Sequence, residues 1–317
     1  MSTLRIGTRG SALALWQART VASLLAARGV ATEIVTYKTS GDRLQDAPLT
    51  EVGTKGLFVK ELEDALLHGA IDLAVHSAKD MSVTLPDGLA IAAVLPREDA
   101  RDALVLPRLR QGSGGQAGVP QTMDLASATA ALGGAPSIGT SSIRRSAQLR
   151  ALWPDARFGA VRGNVDTRLR KLDTREFDAL VLAAAGLKRL GHADRITVAL
   201  EIAQCVPAPC QGIVAIETRS DAPEAIRAVN DPAADVSFRA ERALIAALGG
   251  GCQLPLGAIA IPRGASLEME AVVVSPDGTR RVRGTAVGDS GRPEELGRQL
   301  AAALARDGAI AILDEVR

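Results

Sequence analysis

The chain has 317 residues, enough for two or three domains, and its 47% apolar and 23% charged content is that of an ordinary soluble globular protein. A net charge of +1 excludes a global field drawing it to nucleic acid or to a membrane surface, so any anion recognition must come from local basic clusters. Aromatic residues, at 2%, are too few for base-stacking platforms, and no apolar run is long enough for a membrane span.

Residues 4–8 read as a strand, and Ser11 caps a helix that carries Leu13, Trp16, Leu24 and Leu25 and stops before Gly29. Residues 33–38 read as a second strand and 57–67 as an amphipathic helix closed by Gly69. A short apolar strand, 71–75, then runs into His76-Ser77-Ala78-Lys79-Asp80. This alternation predicts a mainly parallel sheet with helices on its faces. The pattern breaks over 96–107. Residues 112–118 then form a Gly-rich run that reads as a solvated insertion, since it lacks the Gly-Lys-Ser/Thr ending of a phosphate-cradling loop. A second α/β unit follows: strand 137–139, a helix from Thr140 to Leu152, strand 156–160, helix 164–172 and strand 178–183. From residue 221 the texture changes. Helices 222–229 and 236–248 precede Gly249-Gly250-Gly251-Cys252, and strands 256–261, 267–275 and 279–287 follow, with Pro276-Asp277-Gly278 as a hairpin turn. A last helix at 293–306 completes a small α+β domain.

Four clusters carry candidate chemistry. Thr8-Arg9-Gly10-Ser11 puts an arginine and a hydroxyl at a strand-to-helix junction, where open α/β sheets bind ligands and helix N-termini favour anions. At the next junction Lys79 and Asp80 can set each other's charge. Asp80 is suited to accept from an N–H donor or to stabilise a developing cation, while His76 reads as structural. Gly139-Thr140-Ser141-Ser142-Ile143-Arg144-Arg145 offers three hydroxyls and two planar guanidinium forks. At about 100° per helical residue the two arginines can reach two different anionic groups. Arg162-Gly163-Asn164, with Arg168 one turn on, and Lys188-Arg189 repeat the theme. Basic residues at equivalent strand ends of both units predict a cleft between two lobes, lined for a ligand with many negative charges. Cys252, after three glycines, reads either as a thiol that another molecule can approach or as a buried residue after a helix cap. Cys205, Cys210 and Cys252 form an odd set without a Cys-x-x-Cys pair, and no charged-then-apolar leader precedes residue 4. Reduced thiols in a cytoplasm are therefore expected. His68, His76 and His192 lack metal-ligand spacing, so no metal is expected. On these residues alone an anion-binding protein and a thiol-dependent transferase or redox protein also stand as readings.

Taken together, Thr8–Ser11, Gly53-Thr54-Lys55-Gly56-Leu57-Phe58, His76–Asp80, Gly139–Arg145, Arg162-Gly163-Asn164, Gly186-Leu187-Lys188-Arg189 and Gly250-Gly251-Cys252-Gln253 resemble the porphobilinogen deaminase (hydroxymethylbilane synthase) family. Their order and spacing span nearly the whole chain. The resemblance implies an enzyme that joins four porphobilinogen molecules head to tail with loss of ammonia, then releases a linear tetrapyrrole with water. It implies a dipyrromethane cofactor held by a thioether to Cys252, and Asp80 as the catalytic carboxylate that holds pyrrole N–H groups and stabilises an azafulvene-type cation. Arg9, Ser11, Lys55, Ser77, Arg162, Arg168 and Arg189 would bind substrate or the growing chain, with Lys55 and its loop closing over the cleft. Lys79, Thr140, Ser141, Ser142, Gly163, Arg144 and Arg145 would hold the cofactor. The implied fold is two type II periplasmic-binding-protein-like α/β domains plus a C-terminal α+β domain with a three-stranded antiparallel sheet. Domain one would be 1–98 with 203–218, domain two 99–202 and domain three 219–317, in a cytoplasmic monomer with no nucleic-acid or membrane partner. Three departures stand out: the 112–118 insertion is long, Cys210 stands where a glycine is common, and Met81-Ser82 follows Asp80 where a proline is often found.

Overall fold

Strand β1 (Leu4–Arg9) buries Ile6 at its centre and leads into α1 (Ala12–Ala26), which begins where the Ser11 hydroxyl accepts the Ala14 N–H. The computed structural model describes residues 3–38, 59–108, 122–250 and 254–316, so Lys55, the 112–118 run and Cys252 lie outside the described residues. Strand β2 (Thr32–Tyr37), α2 (Lys60–Leu67), β3 (Leu73–Ser77) and β4 (Leu89–Val94) complete the first run. The faces of this sheet are covered as the apolar spacing dictates. Ala18, Val21 and Leu25 of α1 pack on one side, and Leu62 and Leu66 of α2 pack with Ile71 and Leu89 on the other.

The chain then crosses to a second lobe. This crossover contains β5 (Asp102–Val105), where the sequence reading had only a break in the pattern. All four β5 residues are buried, and the run of charges from Arg97 to Asp102 had masked the strand. Next come α3 (Leu125–Leu132), β6 (Ser137–Gly139), α4 (Ile143–Leu149), β7 (Arg157–Gly159), α5 (Val165–Asp173), β8 (Ala179–Ala183), α6 (Ala184–Arg189) and β9 (Val198–Ala199). The chain returns through residues 200–213 to β10 (Val214–Arg219) in the first sheet. The short α7 (Glu224–Arg227) then packs Ile226, with Val229 just after it, on the first lobe's core.

The two sheets have the same plan. The first runs β2-β1-β3-β10-β4 and the second β7-β6-β8-β5-β9. In each, two pairings are parallel and two are antiparallel. The expected mainly parallel sheet is thus a mixed one, because each sheet takes in a strand that arrives over a crossover from the other lobe. That exchange is the type II two-lobed arrangement, and it leaves two chain passages between the lobes.

The third unit begins with α8 (Pro232–Ala247), where Asp231 caps the helix and Pro232 takes its first turn. Strands β11 (Leu256–Arg263), β12 (Ser266–Val274) and β13 (Arg281–Asp289) form the antiparallel sheet, with Gly278 at φ +80° in the hairpin turn. Helices α9 (Pro293–Arg306) and α10 (Ala309–Asp314) pack with α8 on one face. Ile259, Val272 and Val274 on the other face pack on Ala100, Ala147 and Val206 of the second lobe and crossovers. Glu241 of α8, fully buried, binds both crossovers to this sheet. It accepts from the Arg97 guanidinium (2.5 and 3.2 Å), from Ala260 N–H (2.7 Å) and from Cys210 N–H. Among the described residues no helix is long and apolar enough to cross a membrane.

Candidate functional site

At the C-terminal end of β3 the chain leaves the sheet in a single 3-10 turn, Ala78–Asp80, tied down by Ala78 N–H to Ile213 C=O at 3.0 Å. Ser77 faces α1, where Gln17 Nε2 donates to its hydroxyl at 2.9 Å. His76 is buried, with Nε2 3.0 Å from a carboxylate oxygen of the buried Glu217. Lys79 Nζ donates to Gln211 Oε1 at 3.3 Å. Burial pushes the Lys79 ammonium down to about 8, against the pull of Asp80 and Asp102. Asp80 itself is exposed, and among the described residues no hydrogen bond or ion pair engages its carboxylate.

Gln211 links Lys79 to a second, buried cluster. Its Nε2 donates to Ala100 C=O at 2.7 Å and to Asp102 Oδ1 at 2.9 Å. Asp102, at the start of β5, also accepts from Arg144 Nη1 at 2.6 Å, Arg145 Nε at 2.9 Å and the Cys205 thiol at 3.4 Å. Burial alone would raise the Asp102 carboxyl. The two guanidiniums outweigh it and hold the group well below the usual carboxylate range. The expectation that Arg144 and Arg145 reach out to two anions thus meets a different geometry. Both turn inward and converge on one carboxylate of the protein, leaving them 3% and 6% exposed. Arg144 also donates to Val206 C=O at 2.8 Å and Arg145 to Val181 C=O at 3.0 Å. The same surroundings push the Cys205 thiol up to about 12, chiefly through burial.

The hydroxyls before α4 are spent partly on the fold. Thr140 is buried and its Oγ1 accepts Ser142 N–H at 3.3 Å, while Ser141 Oγ donates to Val161 C=O at 2.7 Å. Gly163 takes φ +104°, and a Cβ there would meet Thr167 Cγ2 at 2.7 Å, so glycine is required. This lets Arg168 Nε fold back onto Gly163 C=O at 2.8 Å. Burial lowers the Arg168 guanidinium, with Arg145 adding to the shift and Asp80 opposing it, so its charge feels the Asp80 carboxylate. Arg189 Nη2 donates to Gly212 C=O at 2.7 Å. Arg9 and Ser11 stand at the end of β1 and the start of α1, and Arg162 stands just before Gly163.

These elements meet in a cleft whose wall comes from all three units: Lys79 and Met81 from the first lobe, Ser142 and Arg144 from the second, and Arg242, Ile245 and Leu254 from the third. Cys210, at φ +62°, lines it from the returning crossover. Leu254 is two residues past Cys252 in sequence. Lys79, Arg144, Arg145 and Arg168 set four positive charges against the two of Asp80 and Asp102, so the site carries a positive surplus. Such a surplus suits an anionic ligand, and Asp80 lies beside the cleft next to Lys79 without lining it. Sequence reasoning missed Asp102, Gln211, Gln17 and Arg242. Asp102 was hidden in a run of charges, and the other three have no motif of their own.

Residues 4–227, about 71% of the chain, match the family model described as the dipyrromethane cofactor binding domain of porphobilinogen deaminase, and residues 236–306 match that of its C-terminal domain. A porphobilinogen deaminase of Syntrophomonas wolfei is 44% identical over 322 residues, covering 100% of both chains. One from Acidithiobacillus ferrooxidans is 46% identical over 321 residues, covering 99% of this chain and 98% of the relative. Among solved structures, substrate binding domain 2 of Lactococcus lactis GlnP, in an open conformation, covers 78% of this chain and 91% of that one. It does so at 10% identity and a TM-score of 0.39, a likeness too distant to build on.

Proposed function

This chain belongs to the porphobilinogen deaminase family, and from that premise we propose that it is a hydroxymethylbilane synthase, a transferase of tetrapyrrole biosynthesis that condenses four porphobilinogen molecules with loss of ammonia and releases the linear tetrapyrrole. The observation that carries this reading is the three-sided cleft with its basic lining and, next to its Lys79, the exposed Asp80 carboxylate, which among the described residues makes no hydrogen bond or ion pair. A plain anion-binding protein gains nothing from that carboxylate.

A dipyrromethane group fits the donors present. Its side chains are carboxylates, and the guanidiniums of Arg168 and Arg189 donate, among the described residues, only to the backbone carbonyls of Gly163 and Gly212. When bound, the group supplies the pyrrole carbon to which the first substrate unit is joined. We assign its thioether to Cys252 and its carboxylates to Lys79, Thr140, Ser141, Ser142 and Gly163, with Arg144 and Arg145 contributing the positive charge that the single Asp102 carboxylate leaves on the pair. Substrate and growing chain fall to Arg9, Ser11, Lys55, Ser77, Arg162, Arg168 and Arg189. Asp80 accepts pyrrole N–H groups and stabilises the positive charge that develops on the substrate as its ammonia leaves. Lys79, held by Gln211, keeps a donor beside that carboxylate. The second lobe is 99–202. Because α7 packs on the first lobe, the third unit is better begun at Asp231 than at 219. The enzyme works as a cytoplasmic monomer without nucleic-acid or membrane partners.

Asp80→Asn tests the chemistry. It keeps the size and removes the charge, and turnover of porphobilinogen should fall by about a hundredfold or more. Near-normal turnover in a variant carrying the full cofactor removes Asp80 from the mechanism.

A further inference from the structure

Trp16 is 37% exposed and belongs to none of the hydrophobic cores among the described residues. It lies on α1, the helix that starts at Ser11 and presents Gln17 to Ser77. Its ring faces the other lobe. The guanidinium carbon of Arg189, the last residue of α6, sits 5.5 Å from the ring centroid. The two helices lie side by side at this point, since a Cβ on Gly186 would come within 3.9 Å of Leu13 Cδ2. The Arg189 guanidinium is therefore held in two ways. One edge is fixed by Gly212 C=O at 2.7 Å, on the crossover returning to the first lobe, and one face is covered by the indole. The Glu98 carboxylate acts on it electrostatically, but among the described residues no carboxylate forms an ion pair with it and no second acceptor takes its remaining N–H groups. An indole face under a guanidinium satisfies charge without using up N–H donors, and it fixes the plane in which the planar fork points.

We propose that Trp16 is a positioning residue for Arg189: it stacks on the guanidinium across the seam between the lobes and orients the unused donor edge toward a substrate carboxylate. This rests on the reading of Arg189 as a carboxylate-binding residue. The indole does not touch the reacting atoms. It supplies orientation, so its loss shows in substrate affinity and not in the chemical step.

The test is steady-state kinetics of the holoenzyme with porphobilinogen for Trp16→Leu, Trp16→Phe, Arg189→Leu and the Trp16→Leu/Arg189→Leu double variant, with thermal melting of each. Trp16→Leu keeps an apolar side chain and loses the ring face. It should raise KM about three- to fivefold at little cost in kcat, with an unchanged melting temperature. Trp16→Phe, which keeps a ring face, should restore most of the affinity. Arg189→Leu should raise KM further, and adding Trp16→Leu to it should change nothing more, because the ring then has nothing to orient. Additive effects, a Trp16→Phe variant as impaired as Trp16→Leu, or an unchanged KM in Trp16→Leu overturns the role of Trp16 alone. An unchanged KM in Arg189→Leu overturns the substrate-binding reading of Arg189, and the proposal with it.

Discussion

Asp102→Asn is the sharpest probe of the buried cluster behind the cleft. The substitution keeps the shape, removes one charge and turns one acceptor oxygen into an N–H donor. Oδ1 lies 2.9 Å from both Arg145 Nε and Gln211 Nε2, and Oδ2 lies 2.6 Å from Arg144 Nη1. Whichever oxygen is replaced, the new donor faces a guanidinium. Two arginines, 3% and 6% exposed, are then left to share one neutral oxygen. Removing one partner of a buried ion pair costs on the order of 3–5 kcal/mol, because an uncompensated charge stays behind. Urea unfolding followed by circular dichroism, variant against wild type at neutral pH, reads this as a lower midpoint. Acid gives a second reading with a fixed sign. The folded Asp102 carboxyl is depressed, so its contribution is complete above the unfolded value of about 3.9 and is lost as pH falls below it. The gap between wild type and variant should hold steady from neutral pH down to that range and close beneath it. A loss under about 1 kcal/mol, the size of an ordinary substitution, would refute the claim that Asp102 holds both arginines.

Lys79 and the cysteines yield two further expectations. The Lys79 ammonium is lowered to about 8 by burial, so between that value and its ordinary 10.5 the unfolded chain holds a proton that the fold has released. Stability from this group therefore rises with pH across that window. Lys79→Met should flatten the rise, and identical pH slopes in the two proteins would exclude a buried, depressed ammonium. Cys205 and Cys210 are buried, and the Cys205 thiol is pushed up to about 12. With Cys252 in a thioether, the native holoenzyme should show no fast-reacting thiol toward iodoacetamide at pH 8, and one rapid equivalent would contradict that assignment.

How far the sequence carried can be seen residue by residue. Ser11 caps its helix as its position predicts, and Asn164, read as the first residue of its helix, caps it in the same way, because capping is local chemistry between a side chain and an N–H three residues on. The hairpin at Pro276-Asp277-Gly278 and the helix Pro293–Arg306 were equally legible. Strand β5 was not, since its burial depends on Arg144 and Arg145 arriving from 42 and 43 residues away to neutralise Asp102. The same distance hid the direction of those arginines. Helical spacing gives their divergence and says nothing of a carboxylate waiting between them. The mixed sheets were missed for a related reason: β5 and β10 each join the sheet of the lobe they are not adjacent to in the simple α/β run. The cleft's third wall, with Arg242 on α8, follows from Glu241 and Arg97 fastening α8 to the crossovers, a contact spanning 144 residues.

The central claim is that a dipyrrole anchored at Cys252 is the base on which Asp80 and the arginines build a polyanionic chain. The intact mass of the purified protein tests it most directly. The account predicts a mass above that of the sequence by two linked pyrrole units, an increment that Cys252→Ala lacks. A fully active wild type at the unmodified mass would contradict it.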